Sequence, residues 1–161
     1  MTSAKIGSPF PPSNDAMFGP IVTAPTDRPF IVAQLGQSLD GRIATISGDS
    51  RWINGPAALD HLHRLRSHVD AVVVGIGTII ADDPQLTVRC VSGPQPVRII
   101  IDPRGRLQAS ARCLATGDTR CLVVTNSERP LPHGAELLVV KASGPRIAPK
   151  DIAEALFKRG L

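Results

Sequence analysis

The chain has 161 residues, 42% of them apolar and 20% charged, the balance of one soluble domain that buries a core and too short for a two-domain enzyme. Its 18 basic and 14 acidic residues leave a formal charge of +4, but the cations are scattered along the chain, which favours a phosphate-bearing small molecule over nucleic acid. Aromatic residues make up 3%, with no Tyr, so base-stacking platforms have little to be built from, and no apolar run approaches the roughly 20 residues of a membrane span.

Residues 1–29 are rich in Pro, Ser, Gly and Thr and show neither helical nor strand periodicity, so they read as an extended arm without the h-region of a signal peptide. Phe10, Met17, Phe18 and Ile21 leave two readings of that arm open, a free tail and a strap docked on a neighbouring surface. Phe30 to Leu35 (FIVAQL) reads as a first strand. The loop after it, SLDGRIA over 38–44 and SGDSRWI over 47–53, falls where open α/β sheets take ligands; a solvated loop with Asx turns at Asp40 and Asp49 is equally compatible.

A helix is predicted from Pro56, capped by Asn54 or Gly55, with Leu59, Leu62, Leu65 and Val69 as its buried stripe. His61 and His63 are two residues apart and do not share a helix face, and His68 and His133 have no evident partners, so no metal site is expected. Ala71–Val74, Val97–Ile101, Leu122–Thr125 and Leu137–Val140 are short apolar runs of the kind found in strands covered on both faces.

Between them, Gly75-Ile76-Gly77-Thr78 would let a backbone approach a phosphate, although Ile80 stands where a third glycine of a dinucleotide fingerprint belongs; a turn needed only for packing is the alternative. Asp82-Asp83-Pro84 ends a short helical segment, and such adjacent carboxylates either divide acid and base roles or cap turns and face apart. Arg66 and Arg89 suit a phosphate clamp, or else surface ion pairs with Asp60, Asp82 or Asp83. Asp102-Pro103-Arg104-Gly105-Arg106 is a turn with two cations, fit for a nucleotide 2′-phosphate or simply solvated.

Three cysteines, Cys90, Cys113 and Cys121, cannot all pair within one chain and lack zinc-site spacing, which points to a reducing, cytoplasmic setting. A last helix opens at Pro149, carries Ile152, Ala153, Ala155, Leu156 and Phe157, and meets a left-handed cap at Gly160. A βαβ alternation normally returns such a helix to another strand, so the pattern stops at least one element short at Leu161.

In order and spacing, SLDGRIA, SGDSRWI, HRLR, DAVVVGIGTIIADDPQLTVR and RIIIDPRGR resemble the pyrimidine reductase domain of riboflavin biosynthesis, found both as the C-terminal half of a bifunctional deaminase-reductase and alone. The resemblance runs from Phe30 to the end and divides the chain into the 1–29 arm and a 30–161 reductase domain. It implies an α/β fold, a dihydrofolate-reductase-like three-layer sandwich on a mostly parallel central sheet, incomplete at its C-terminus. It also implies NADPH-dependent reduction of the ribose of 5-amino-6-(5-phosphoribosylamino)uracil, or its diamino counterpart, to a ribityl chain by a cytoplasmic enzyme that is commonly a dimer.

By matching motif, Gly36, Trp52, Gly75, Gly77, Thr78, Asp82, Asp102 and Arg104 would meet the cofactor. Ser50, Arg66, Leu86 and Arg89 would hold the substrate and its 5′-phosphate, and Asp82, the catalytic candidate, would orient cofactor or a proton-bearing water. Pro103 stands where members often have Ser, without that residue's hydroxyl and N–H donors. The deaminase signature, His-x-Glu with Pro-Cys-x-x-Cys, is absent. Family members continue past the last helix into a strand and a Glu-Gly-Gly-type loop that completes both sites. The alternatives are therefore a shortened, non-catalytic remnant and a related NADPH reductase with another substrate.

Overall fold

The computed structural model describes residues 18–50, 53–115, 119–142 and 146–161; Phe10, Met17 and Trp52 lie outside them. In chain order the elements are α1 (Gly19–Val22), α2 (Pro56–Ser67), β1 (Ala71–Gly75), α3 (Ile76–Asp82), β2 (Val97–Ile101), β3 (Cys121–Thr125), β4 (Glu136–Val139) and α4 (Pro149–Phe157). The four strands form one sheet in sequence order, every neighbouring pair parallel, with Val73 opposite Ile99, Ile99 opposite Leu122 and Val123 opposite Leu137. Parallel pairing brings all four carboxyl ends to one edge, where the loops after each strand meet.

The period-two alternation of strands divides the apolar residues between two faces. Ile99, Leu122, Val124 and Leu138 pack with Ile152 and Leu156 of α4, while Ile100, Cys121 and Val123 pack with Ile76 and Ile79 of α3 and with Leu107 and Cys113. Helices on opposite faces of a parallel sheet make the three layers that the resemblance implies. Burying Ile152 and Leu156 is worth about 1.5–3 kcal/mol each, which is what holds α4 to its face. Past α4, Leu161 N donates to Leu156 O across Gly160 at φ +81°, the left-handed stop expected of that glycine. Arg98 alternates toward the α3 face, fully buried, and its guanidinium donates to the carbonyls of Cys113 and Thr119, tying the β2–β3 crossover to the sheet.

Four expectations are corrected. Phe30–Leu35 is not a strand: it pairs with none of the four, and Phe30, Ile31, Val32 and Leu35 are exposed. Strand propensity expresses fit to a pleated, half-buried surface, and without a partner strand the segment has no such surface. Second, β1 is an edge strand and is not covered on both faces, Val73 being 45% exposed; only β2 and β3 at the centre match that expectation. Third, the buried positions of α2 are His63 and Ser67, whereas Leu59 is exposed and Leu62, Leu65 and Val69 are half-buried. The surface α2 meets there is the polar Thr87–Arg89 segment, which the helix engages through hydrogen bonds. Fourth, His68 does have partners: Phe18, 3% exposed, stacks on its ring at 4.9 Å between centroids, and on that of His61 at 5.5 Å.

Candidate functional site

Outside the early loop, the predicted site residues that the structure describes lie in two constellations. The first lies along the carboxyl edge of the sheet. Gly75 ends β1 and caps α3 with φ −78°, and a Cβ added at Gly75 or Gly77 would meet nothing within 4 Å. Packing therefore does not demand glycine at either place; both, with Thr78, are exposed between the end of β1 and the first turn of α3. Asp82 is exposed at the end of α3, while Asp83 adopts φ +40° and accepts the Arg112 N–H at 2.8 Å. The two carboxylates thus serve different ends, one facing solvent and one tying α3 to the loop beyond β2.

Asp102 follows β2 with its side chain turned inward. Its carboxylate is fully buried, with Oδ2 accepting from Leu107 N at 2.8 Å, while its carbonyl accepts from Gly105 N. Asp102 builds the 102–107 turn from inside, and Arg104 and Arg106 are what the turn shows to solvent. A cation that the sequence reading missed joins them. Arg129, from the loop after β3, lies across Gly105 so closely that a Cβ there would come 2.6 Å from its Nη1, and Gly105 takes φ +68° beneath it. Its Nη2 donates to Ser127 Oγ at 3.0 Å, and its Nε is buried without a hydrogen-bond partner. Adjacency of the β2 and β3 ends is a tertiary fact, and no local pattern announces it.

The second constellation joins α2 to the segment after α3. Leu86 sits at φ +61° with its side chain 2% exposed in the core, so any substrate contact from this residue is through its backbone. That bend presents Thr87 and Arg89 to α2. Arg66 Nη1 donates to Thr87 O at 3.4 Å, and Arg89 N donates to His63 Nδ1 at 3.2 Å, which places the ring proton on Nε2. The exposed Arg89 guanidinium reaches only neutral acceptors, Gln85 Oε1 at 3.2 Å and Thr87 Oγ1 at 3.3 Å. Among the described residues neither arginine makes an ion pair with Asp60, Asp82 or Asp83.

Electrostatics here follows from two arginines that have no ion pair among the described residues. Burial, then the Arg89 charge, lowers the Arg66 guanidinium from its ordinary value. Burial, then repulsion by Arg66 and Arg89, lowers the His63 imidazole, opposed by Asp60 and the Thr87 backbone. Two like charges held together with a neutral histidine beneath them leave a field that an anion relieves.

The early loop is less informative. Residues 38–42 and 45–49 close on themselves, Ser38 N to Arg42 O and Thr45 N to Asp49 O at 2.9 Å each. The Ser38 hydroxyl and the Arg42 ion pair hold the Asp40 carboxyl below its usual range, and Ser50 is exposed. Gly36 lies against the Asn54 amide, 2.3 Å from where a Cβ would stand, so its lack of a side chain lets this loop reach the start of α2. Among the described residues no group of His, Cys, Asp or Glu has metal-holding geometry, and no helix is long and apolar enough to cross a membrane.

Four parallel strands between two helical layers, with the loops after each strand at the carboxyl edge, make an α/β domain of the dihydrofolate-reductase-like kind. Residues 29–161 match the model of the RibD C-terminal domain, and the chain belongs to that family. It is 40% identical to riboflavin biosynthesis protein RibD of Aquifex aeolicus over 71% of this chain and 34% of that protein. It is 39% identical to the 2,5-diamino-6-ribosylamino-4(3H)-pyrimidinone 5′-phosphate reductase of Methanothermobacter thermautotrophicus, over 64% of this chain and 49% of that one.

Among solved structures, the deaminase/5-amino-6-(5-phosphoribosylamino)uracil reductase of Thermotoga maritima superposes with a TM-score of 0.69 at 35% identity, over 83% of this chain and 37% of that one. A riboflavin biosynthesis reductase of Saccharomyces cerevisiae shares the fold, with a TM-score of 0.70 at 24% identity. The chain thus spans between about a third and a half of the curated relatives described here.

Proposed function

We propose that this chain carries NADPH-dependent reduction of a phosphorylated ribosylaminopyrimidine, 5-amino-6-(5-phosphoribosylamino)uracil or its diamino counterpart, to the ribityl compound of riboflavin biosynthesis. The observation that carries the proposal is the guanidinium pair Arg66 and Arg89, held together with no carboxylate bound to either among the described residues. Such a pair suits a phosphate ester, which accepts from both forks and removes their repulsion. The curated relative named as a 5′-phosphate reductase acts on a molecule with that group.

The carboxyl edge fits a nicotinamide nucleotide. Gly75 and Gly77 leave open space where side chains would stand, and Arg104 and Arg129 flank the turn after β2, suited to the 2′-phosphate that distinguishes NADPH from NADH. When bound, the cofactor supplies the hydride that adds to C1′ of the ring-opened ribose. Arg66 and Arg89 hold the 5′-phosphate, Leu86 holds the bend that aims Arg89, and exposed Asp82 orients the cofactor or a proton-bearing water. Ser50, Gly36 and Trp52 belong to the same reading, which also includes a homodimer and, given the free thiols of Cys90, Cys113 and Cys121, the cytoplasm.

Titration of the 161-residue chain with NADPH, with NADH as control, tests the cofactor half. Saturable binding that prefers NADPH is expected; a folded chain that binds neither nucleotide would overturn the cofactor half of the proposal. In turnover, Arg89→Ala should raise the substrate KM at least about tenfold and leave the NADPH KM unchanged, because only the phosphate contact is lost. Equal effects on both would overturn the assignment.

A further inference from the structure

The segment that aims Arg89 has no ladder of its own, yet its backbone groups are taken one by one. Gln95 brackets Val88, its Oε1 accepting from Val88 N at 2.7 Å and its Nε2 donating to Val88 O at 2.9 Å. Leu86 anchors the segment in the core, and Thr87 O faces Arg66. The remaining tie, from Arg89 N to His63 Nδ1, joins the segment to the helix that carries Arg66, one turn away on the same face.

We propose that His63 is a positioning residue for the phosphate clamp, accepting the Arg89 backbone N–H so that the Arg89 and Arg66 guanidiniums are held at one spacing against their repulsion. This rests on the phosphate reading of that pair. The chemistry explains why an imidazole suits the place. A carboxylate would accept the same N–H but would compete with the phosphate for both arginines, whereas neutral imidazole accepts without adding charge. His63 is 4% exposed, and the charges that face it are Arg66 and Asp60 from its own helix and Arg89 from the segment.

Protonation removes the lone pair of Nδ1, so an imidazolium cannot hold the Arg89 N–H. Its folded value is lowered, so the tie is intact above the ordinary value of about 6.5 and is lost as pH falls through the lower folded value. An imidazolium would also add a third cation, and these two consequences have opposite signs for an anion. Positioning makes affinity fall with pH; mere charge makes it rise.

The test uses the full chain and sulfate, which stays a dianion throughout, followed by NMR through the Arg89 backbone amide and by calorimetry from about pH 8 down through the pH at which the His63 ring itself protonates, read from its ring-proton shifts. Wild type should bind sulfate at least roughly threefold more weakly at the acid end. His63→Asn, whose Oδ1 replaces Nδ1 as an acceptor, should match wild type at the alkaline end and lose the pH dependence. His63→Ala should bind about tenfold more weakly throughout, with the Arg89 amide resonance displaced. Affinity that rises toward acid, an Asn variant that keeps the pH dependence, or an Ala variant that binds like wild type would each overturn the proposal. Arg66→Ala and Arg89→Ala separate the two layers. If they weaken sulfate and His63→Ala does not, positioning fails alone; if wild type binds no sulfate, the phosphate reading fails and the proposal with it.

Discussion

The centre of the sheet and the segment from Phe30 to Ser50 are both well supplied with apolar side chains, and they end in opposite states. In β2 and β3, Ile99, Ile100, Leu122, Val123 and Val124 are fully buried; in the segment, Ile31, Leu35, Leu39, Ile43 and Ile46 are exposed, and its order comes from short turns closed on themselves. Apolar content alone does not produce burial. A strand is buried when neighbours supply its backbone partners and helices cover its faces, and β2 and β3 have both.

The largest effect should separate the two regions directly. Leu122→Ala removes a side chain from the fully buried centre and is expected to cost about 2–5 kcal/mol, whereas Leu39→Ala should stay within about 0.5 kcal/mol of wild type. Urea unfolding followed by circular dichroism measures both, and comparable losses would break the contrast. A smaller effect should appear where the centre hands over to the carboxyl edge. Asp102→Ala leaves the buried Leu107 N–H without its acceptor and should cost about 1–3 kcal/mol, with Asp102→Asn recovering most of that through its remaining oxygen. Equal losses in the two variants would mean that the turn depends on the charge and not on the hydrogen bond.

The smallest effect concerns the ion pair between Arg120 and Glu136, bidentate at 2.9 and 2.8 Å but about half exposed. The shared hydrogen bonds raise the arginine and lower the Glu136 carboxyl, so the pair's contribution is present above the ordinary carboxyl value and lost as pH falls through the lower folded one. Because solvent screens it, Arg120→Ala should cost no more than about 1 kcal/mol at neutral pH, with the difference from wild type vanishing in acid.

Much of this was legible in the sequence, for reasons that particular residues make plain. The short runs VRIII and CLVVT read as strands covered on both faces, and they are; Pro56 and Pro149 open α2 and α4; Gly160 stops the last helix with a positive φ. Arg66 and Arg89 were legible as a pair only through their motifs, since 23 positions separate them and nothing local joins them. The Leu59–Val69 stripe misled because periodicity identifies a face without saying what that face meets. Asp102 shows the same limit, because a polar residue at a strand end reads alike whether its side chain turns outward to a ligand or, as here, inward to Leu107.

The sequence by itself determined the α/β class, the central strands, the two longer helices and the family, because these rest on patterns within a few residues or on motifs in fixed order. Tertiary structure alone decided that Phe30–Leu35 stays out of the sheet, that Arg129 lies over Gly105, and that His63 faces Arg89. Each of those depends on which segments become neighbours in space. Side-chain pattern states a preference for burial or solvent; only the packed neighbours determine which backbone groups and charges are left to be satisfied, and by what.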